Sequence, residues 1–207
     1  IVHGLTEFLP VSSSGHLQIA KALMGVEIEQ NLLFDVTLHA ATVLSTIVVL
    51  WSEVARLLRG LFSRRFNEEQ AYVLKLLLSM IPIGIVGFTL KDRLDALLES
   101  PAILLVVGCM LLVTAALHAF AYYAKPRQKA QLSYRDAFLI GVAQAVAALP
   151  GLSRSGSTIA TGLLLGNRKQ TVAQFSFLMV LAPILGETFL ELMKGNLGAQ
   201  AIGSAPL

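Results

Sequence analysis

The chain has 207 residues, of which 55% are hydrophobic and only 14% are charged. Soluble domains carry about 25% charged residues, so this chain lacks the charge that a water-facing surface needs. Its formal net charge of +3 comes without a run of Lys and Arg interleaved with aromatics, which argues against a nucleic-acid surface.

In chain order, the first stretch Ile1–Val11 is apolar but too short to cross a bilayer, which takes roughly 20 apolar residues. It already belongs to a motif, shows no signal peptide and is read as a trimmed end. Leu17–Gly25 is shorter still. Residues 32–51 form the first full apolar run, with Asp35 and His39 four apart on one helix face, read as a structural pair ahead of a support for the site. Arg56, Arg59, Arg64 and Arg65 follow it. The run at about 71–90 is interrupted by Pro82, Gly84 and Gly87, breakers that neighbouring helices can satisfy in a membrane. In the next loop Lys91 and Arg93 are offset by Asp92, Asp95 and Glu99.

Residues 101–124 contain no Asp, Glu, Lys or Arg. Within them, Cys109 has no partner for a disulfide or a metal motif and is read as packing; His118 is read as structural. Lys125, Arg127, Lys129 and Arg135 come after this run. The two basic loops are separated by two spans, which places both in the cytoplasm. Ala137–Leu152 and Ser157–Gly166 are again too short to cross. The final run, about 171–193, is interrupted by Pro183 and Gly186; Glu187 and Glu191 near its end are read as solvated or interfacial.

The short pieces share a pattern. Gly4, Glu7 and Pro10 lead to Ser12-Ser13-Ser14-Gly15-His16, and Gly141, Gln144 and Pro150 lead to Ser153-Arg154-Ser155-Gly156. Paired broken segments in two halves of a membrane protein point to a binding site at the repeat interface. Irregular backbone at membrane depth must be buried in protein or line a polar cavity, so both turns are expected to dip into the bilayer and meet. Each precedes an expected helix start, Leu17 onward and Ser157 onward, whose free N–H groups and positive dipole end suit phosphate. Arg154 adds a fork for two phosphate oxygens. Glu7, His16 and a serine complete a set for phosphoryl transfer: metal ligand or base, proton shuttle and nucleophile.

Gly4-Leu-Thr-Glu-Phe-Leu-Pro-Val-Ser-Ser-Ser-Gly-His16 and Pro150-Gly-Leu-Ser-Arg-Ser-Gly-Ser-Thr158 closely resemble the two signature regions of the undecaprenyl-diphosphate phosphatase family, also called bacitracin-resistance proteins. Phe34 onward, Tyr134–Phe138 and Phe175-Ser-Phe177 extend the resemblance along nearly the whole chain. It implies hydrolysis of undecaprenyl diphosphate to the monophosphate in the bacterial plasma membrane, at a divalent-metal site, Mg²⁺ or Ca²⁺, facing the extracytoplasmic side. Carried onto this chain, Glu7 holds the metal or positions water, with His3 as a second ligand. Ser13 is the nucleophile candidate, and His16 the proton shuttle or a competing nucleophile. Arg154 clamps the diphosphate with Ser153, Ser155 and Thr158, while Ser12, Ser14, Gly15 and Gly156 complete the substrate site. His3 is a departure, since the family usually has a carboxylate or amide there, and neutral His prefers softer ions.

The expected fold is therefore an all-α integral membrane protein, a polytopic bundle with two re-entrant helix–loop–helix hairpins from an inverted internal repeat. It forms one transmembrane domain over 1–207, with repeats at about 1–90 and 101–207 and the family's last helices missing. The expected partners are the polyprenyl diphosphate lipid and the membrane, with a homodimer left open and no nucleic acid. Two rivals stand beside this reading. The wider lipid and acid phosphatase superfamily uses a second His after Ser-Arg, where this chain has Ala160. A transporter or flippase for a phosphorylated lipid would draw on the same repeat.

Overall fold

The structure, a computed structural model, describes residues 9–25, 32–63, 65–123 and 129–193. They form helices α1 (Ser13–Met24), α2 (Leu32–Val49), α3 (Trp51–Leu61), α4 (Glu68–Thr89), α5 (Lys91–Leu98), α6 (Ile103–Tyr123), α7 (Tyr134–Val146), α8 (Arg154–Leu164) and α9 (Lys169–Met193). Among the described residues the only β feature is an isolated parallel bridge between Lys129 and Asn167.

The surface is inverted relative to a water-soluble protein. On α4, Leu74, Leu77, Ile81, Ile85 and Phe88 are exposed, and on α6 so are Leu105, Leu112, Phe120 and Tyr122. The buried set includes Ser79, Thr114, Gln144, Ser153, Ser157, Thr158, Asn167 and Ser176. Outward apolar side chains over an interior that includes these small polar residues suit hydrocarbon as the surrounding solvent, where such residues serve the contacts between helices. With 22 and 21 residues, α4 and α6 are long and apolar enough to span a bilayer. This is a helical membrane protein. Cys109 faces outward on α6 rather than into packing.

The first apolar run does not continue straight into its basic loop. It breaks at Leu50 and turns by 84° into α3. One face of α3 is apolar, with Leu57 buried, and Arg56 pairs with Glu53 at 2.8 Å. Both α3 and α5 fall where the sequence reading has loops. Each is short and charged, so the apolar-run criterion passes over it.

Two close contacts set the frame around the second motif. α7 packs on α4 where Gly141 meets the Ser79 backbone so tightly that a Cβ would collide with it. A cluster of Leu132, Ala137, Ile140, Phe175 and Met179 then seals α7 against α9, with Tyr72 edge-on to Phe175 at 5.7 Å between ring centroids. α7 begins with a capping box: Ser133 Oγ accepts from Asp136 N at 3.0 Å, and Ser133 N donates to the Asp136 carboxylate at 3.4 Å. The same buried carboxylate accepts from Asn167 Nδ2 and pairs with Lys129 at 3.6 Å. Lys129 N donates to Gly166 O and Arg168 N donates to Lys129 O, both at 3.1 Å. The chain thus leaves α8 beside the point where it approached α7, and the two helices form a hairpin tied at its base.

Candidate functional site

The two serine-rich turns are built alike. Ser12 caps α1, its Oγ accepting from Gly15 N at 3.3 Å, and Ser153 caps α8, its Oγ accepting from Gly156 N at 3.1 Å. Because these hydroxyls satisfy first-turn N–H groups, the helices start at Ser13 and Arg154, earlier than the expected Leu17 and Ser157. Ser13, Ser14, Arg154 and Ser155 consequently stand on first helical turns, where the dipole is positive, rather than in loops.

The turns interlock reciprocally. A Cβ on Gly15 would lie 3.1 Å from Gly151 Cα, in the turn ahead of α8. One on Gly156 would lie 3.0 Å from Pro10 O, in the turn ahead of α1. α6 backs both with one face, at positions 107, 111, 114 and 118. Val107 backbone abuts Gly151, Leu111 abuts Gly15, and Thr114 Oγ1 accepts from Ser153 N at 3.1 Å. His118 Nε2 hydrogen-bonds Pro10 O at 2.5 Å; a carbonyl can only accept, so this nitrogen carries the proton. His118 bonds the first turn and abuts Gly156 of the second, so it joins the two.

Between the turns lies a cavity of about 170 Å³. Ser12, Ser13, Ser14, Ser153, Arg154 and Ser155 form its polar side, and Leu9, Leu152, Phe177 and Val180 are on its apolar side. A second cavity of about 380 Å³ shares Ser14 and Arg154 with it and is also lined by Ile83, Leu94, Leu98, Gln144 and Ile184. A third, about 580 Å³ and largely apolar, lies between α2 and α9 and shares Thr46 and Phe177 with the first. Arg154 is exposed and has no ion pair among the described residues. Two helix N-termini, serine hydroxyls and a guanidinium make a donor set for a multivalent anion. Among the described residues no three His, Cys, Asp or Glu side chains cluster as a metal site.

The chain matches the family model described as "Bacitracin resistance protein BacA" over residues 1–205. It belongs to the bacitracin resistance protein family. Over 206 residues it is 62% identical to the undecaprenyl-diphosphatase of Parabacteroides distasonis, covering 100% of this chain and 77% of that protein. The undecaprenyl-diphosphatase of Bacteroides fragilis is 60% identical with the same coverage. That of Christiangramia forsetii is 50% identical over 97% of this chain and 76% of its own length.

In this bacitracin resistance protein family member, six of the sequence-derived site residues line the central cavity and four do not. Gly15 and Gly156 allow the close approach of the turns. His16 lies beside its own cap, Nδ1 donating to Ser12 O at 2.8 Å, so neutral His16 keeps its lone pair on Nε2. Thr158 is turned into helix packing, donating to Arg154 O at 2.9 Å and bonded to Ser176 Oγ at 2.6 Å. Glu7 and His3 lie outside the described residues, as do the side chains of Asp35, His39, Glu187 and Glu191.

Two residues near the cavities received no role from the sequence. Thr114 is a polar side chain inside an apolar span, a signal that was legible. Gln144 is 1% exposed, and neither its Oε1 nor its Nε2 has a hydrogen-bond partner among the described residues. Each such buried orphan costs about 1–3 kcal/mol.

Proposed function

We infer that this chain is an undecaprenyl-diphosphatase, converting undecaprenyl diphosphate to the monophosphate and phosphate. This activity recycles the lipid carrier for cell-wall synthesis and underlies bacitracin resistance. The observation that carries the reading, beside family membership, is the meeting of two capped helix N-termini and Arg154 on one cavity. Phosphoryl transfer is catalysed chiefly by positioning and by stabilising charge on the equatorial oxygens, and these donors supply that.

Arg154 clamps the diphosphate, with hydroxyls of Ser12, Ser14, Ser153 and Ser155 donating to its oxygens. Gly15, Gly156 and Thr158 hold those donors in place. Ser13 Oγ attacks the terminal phosphorus, its proton passes to His16 Nε2, and the bridging P–O bond breaks to release undecaprenyl phosphate. Water then cleaves the phosphoserine. Glu7, with His3 as the weaker partner, would hold a divalent metal, Mg²⁺ or Ca²⁺, which supplies positive charge to the phosphates when bound.

The fold reading has support in lengths and ties. At 1.5 Å per residue, α7 with 13 residues and α8 with 11 reach only about 20 and 17 Å into a hydrocarbon layer of about 30 Å. Their shared base at Lys129 and Asn167 suits a re-entrant hairpin. The matching caps and reciprocal glycine contacts support an inverted repeat, with halves at about 1–90 and 101–207 in one transmembrane domain. We place the basic loops in the cytoplasm and the site on the extracytoplasmic side of the plasma membrane, where two copies could pair as a homodimer. The third cavity, between α2 and α9, favours the rival flippase.

The test is phosphate release from undecaprenyl diphosphate by purified protein with Mg²⁺, Ca²⁺ or EDTA. Metal-dependent release is expected. Silence from folded protein that still moves the lipid between leaflets would overturn the phosphatase in favour of the flippase.

A further inference from the structure

Gln144 lies on α7 one turn beyond Gly141, the residue locked against Ser79 of α4. Its backbone position is therefore fixed by a close backbone contact between the two helices. It lines the same cavity as Arg154 and Ser14, and Ile83, one turn beyond Ser79, lines it too. Of the buried polar side chains left with an orphan atom among the described residues, Asn167 still donates through Nδ2 to Asp136 and Gly162, and Ser157 leaves only its hydroxyl. Gln144 is the side chain of that set with two polar atoms unpaired, the amide nitrogen and the amide oxygen. A buried amide of this kind is kept against a cost when it has a partner to meet.

Resting on the phosphatase reading, we propose that Gln144 binds the reacting phosphoryl group and orients the water that hydrolyses it. Nε2 donates to a non-bridging phosphoryl oxygen, and Oε1 accepts from the attacking water. In that step the water oxygen bonds to phosphorus, the bond from phosphorus to Ser13 Oγ breaks, and the water's proton goes to Oγ. Glutamine orients the attacking water in other phosphoryl-transfer sites. The repeat gives a reason for an amide here. Gln144 occupies the register that Glu7 holds in the first motif. A second carboxylate beside a diphosphate would add repulsion, whereas an amide can donate to it.

The experiment compares wild type with Gln144→Met, which conserves volume and removes both hydrogen-bonding atoms. Phosphate release from undecaprenyl diphosphate and thermal unfolding are both measured in detergent. The expected result is a fall in kcat of about 100-fold, a KM within about threefold, and a melting temperature equal to or above wild type, since a buried orphan has been removed. A merely structural amide would move stability and leave kcat alone, so a folded variant with kcat within about threefold of wild type overturns the proposal. If Gln144→Met does not fold, Gln144→Asn, with the amide one methylene short, takes its place and is judged on kcat and KM alone. Failure of both to fold makes the residue a fold determinant and also overturns it. Wild-type silence in the same assay sinks the parent reading instead, which separates the two failures.

Discussion

The two serine-rich turns share a cap and a glycine but differ in how they are held. Ser153 sits at φ −69°, in ordinary extended backbone, and its N–H is anchored to Thr114 on α6. Ser12 sits at φ 67°, and among the described residues it is the one non-glycine with positive φ. Such a conformation costs about 1–3 kcal/mol and persists only when the surroundings impose it, which concentrates it at functional sites. The second turn carries the guanidinium on relaxed, anchored backbone. The first carries Ser13 directly after the strained residue. On the proposed mechanism, this difference sets a rigid anion clamp opposite a tensioned nucleophile.

The sharpest break in this comparison is chemical. Ser13→Ala should remove essentially all turnover, and Arg154→Ala should cost about 100- to 1,000-fold. Ser155→Ala, at the matching helical turn of the clamp, should cost about tenfold or less, the worth of one ordinary hydrogen bond. Phosphate release under saturating substrate checks all three. Equal losses at Ser13 and Ser155 would erase the distinction between the turns. Because Arg154 is exposed and unpaired among the described residues, its removal should leave the melting temperature nearly unchanged.

A smaller effect is expected at the interlock. Gly151 has φ +90°, and a Cβ there would stand 2.8 Å from the Val107 backbone. Gly151→Ala should destabilise by about 1–3 kcal/mol from backbone strain alone and push the turns apart, lowering both melting temperature and activity. Unfolding in detergent at wild-type stability would show that α6 does not hold the turns as described. The smallest effect belongs to the anchor. Thr114→Val keeps the shape but leaves the buried Ser153 N–H unpaired, at about 1–3 kcal/mol before relaxation. Hydrogen exchange should quicken at Ser153 and Gly156 and not at Gly15; uniform quickening would mean that the turns respond as one unit.

Much of this architecture is legible in the sequence. Runs such as 101–124, with no charged residue, have one stable fate in a bilayer, because a spanning segment must satisfy its backbone internally. The serine turns were legible because small hydroxyl residues beside glycine and proline have no reason to interrupt apolar sequence unless they meet something polar. Other features were not. Nothing at Leu50 is a helix breaker, yet the chain turns there by 84°. Serine serves equally in turns and as a helix cap, so the helix starts at Ser13 and Arg154 were misplaced by a turn. Thr158 looked like part of the phosphate site by its place in the motif, and Gln144 like a mere repeat marker; packing against Ser176 and burial beside Arg154 gave each a different setting.

Sequence by itself determined the surrounding solvent, the two long spans α4 and α6 and the family, because these follow from residue type and order. Tertiary structure decided which serines face the cavity, which histidine ties the turns and which buried amide lacks a partner among the described residues. Those outcomes depend on the direction of side chains from elements far apart in the chain, such as His118 on Pro10 and Gly15 on Gly151. No local pattern encodes a contact between two segments that are each compatible with many partners.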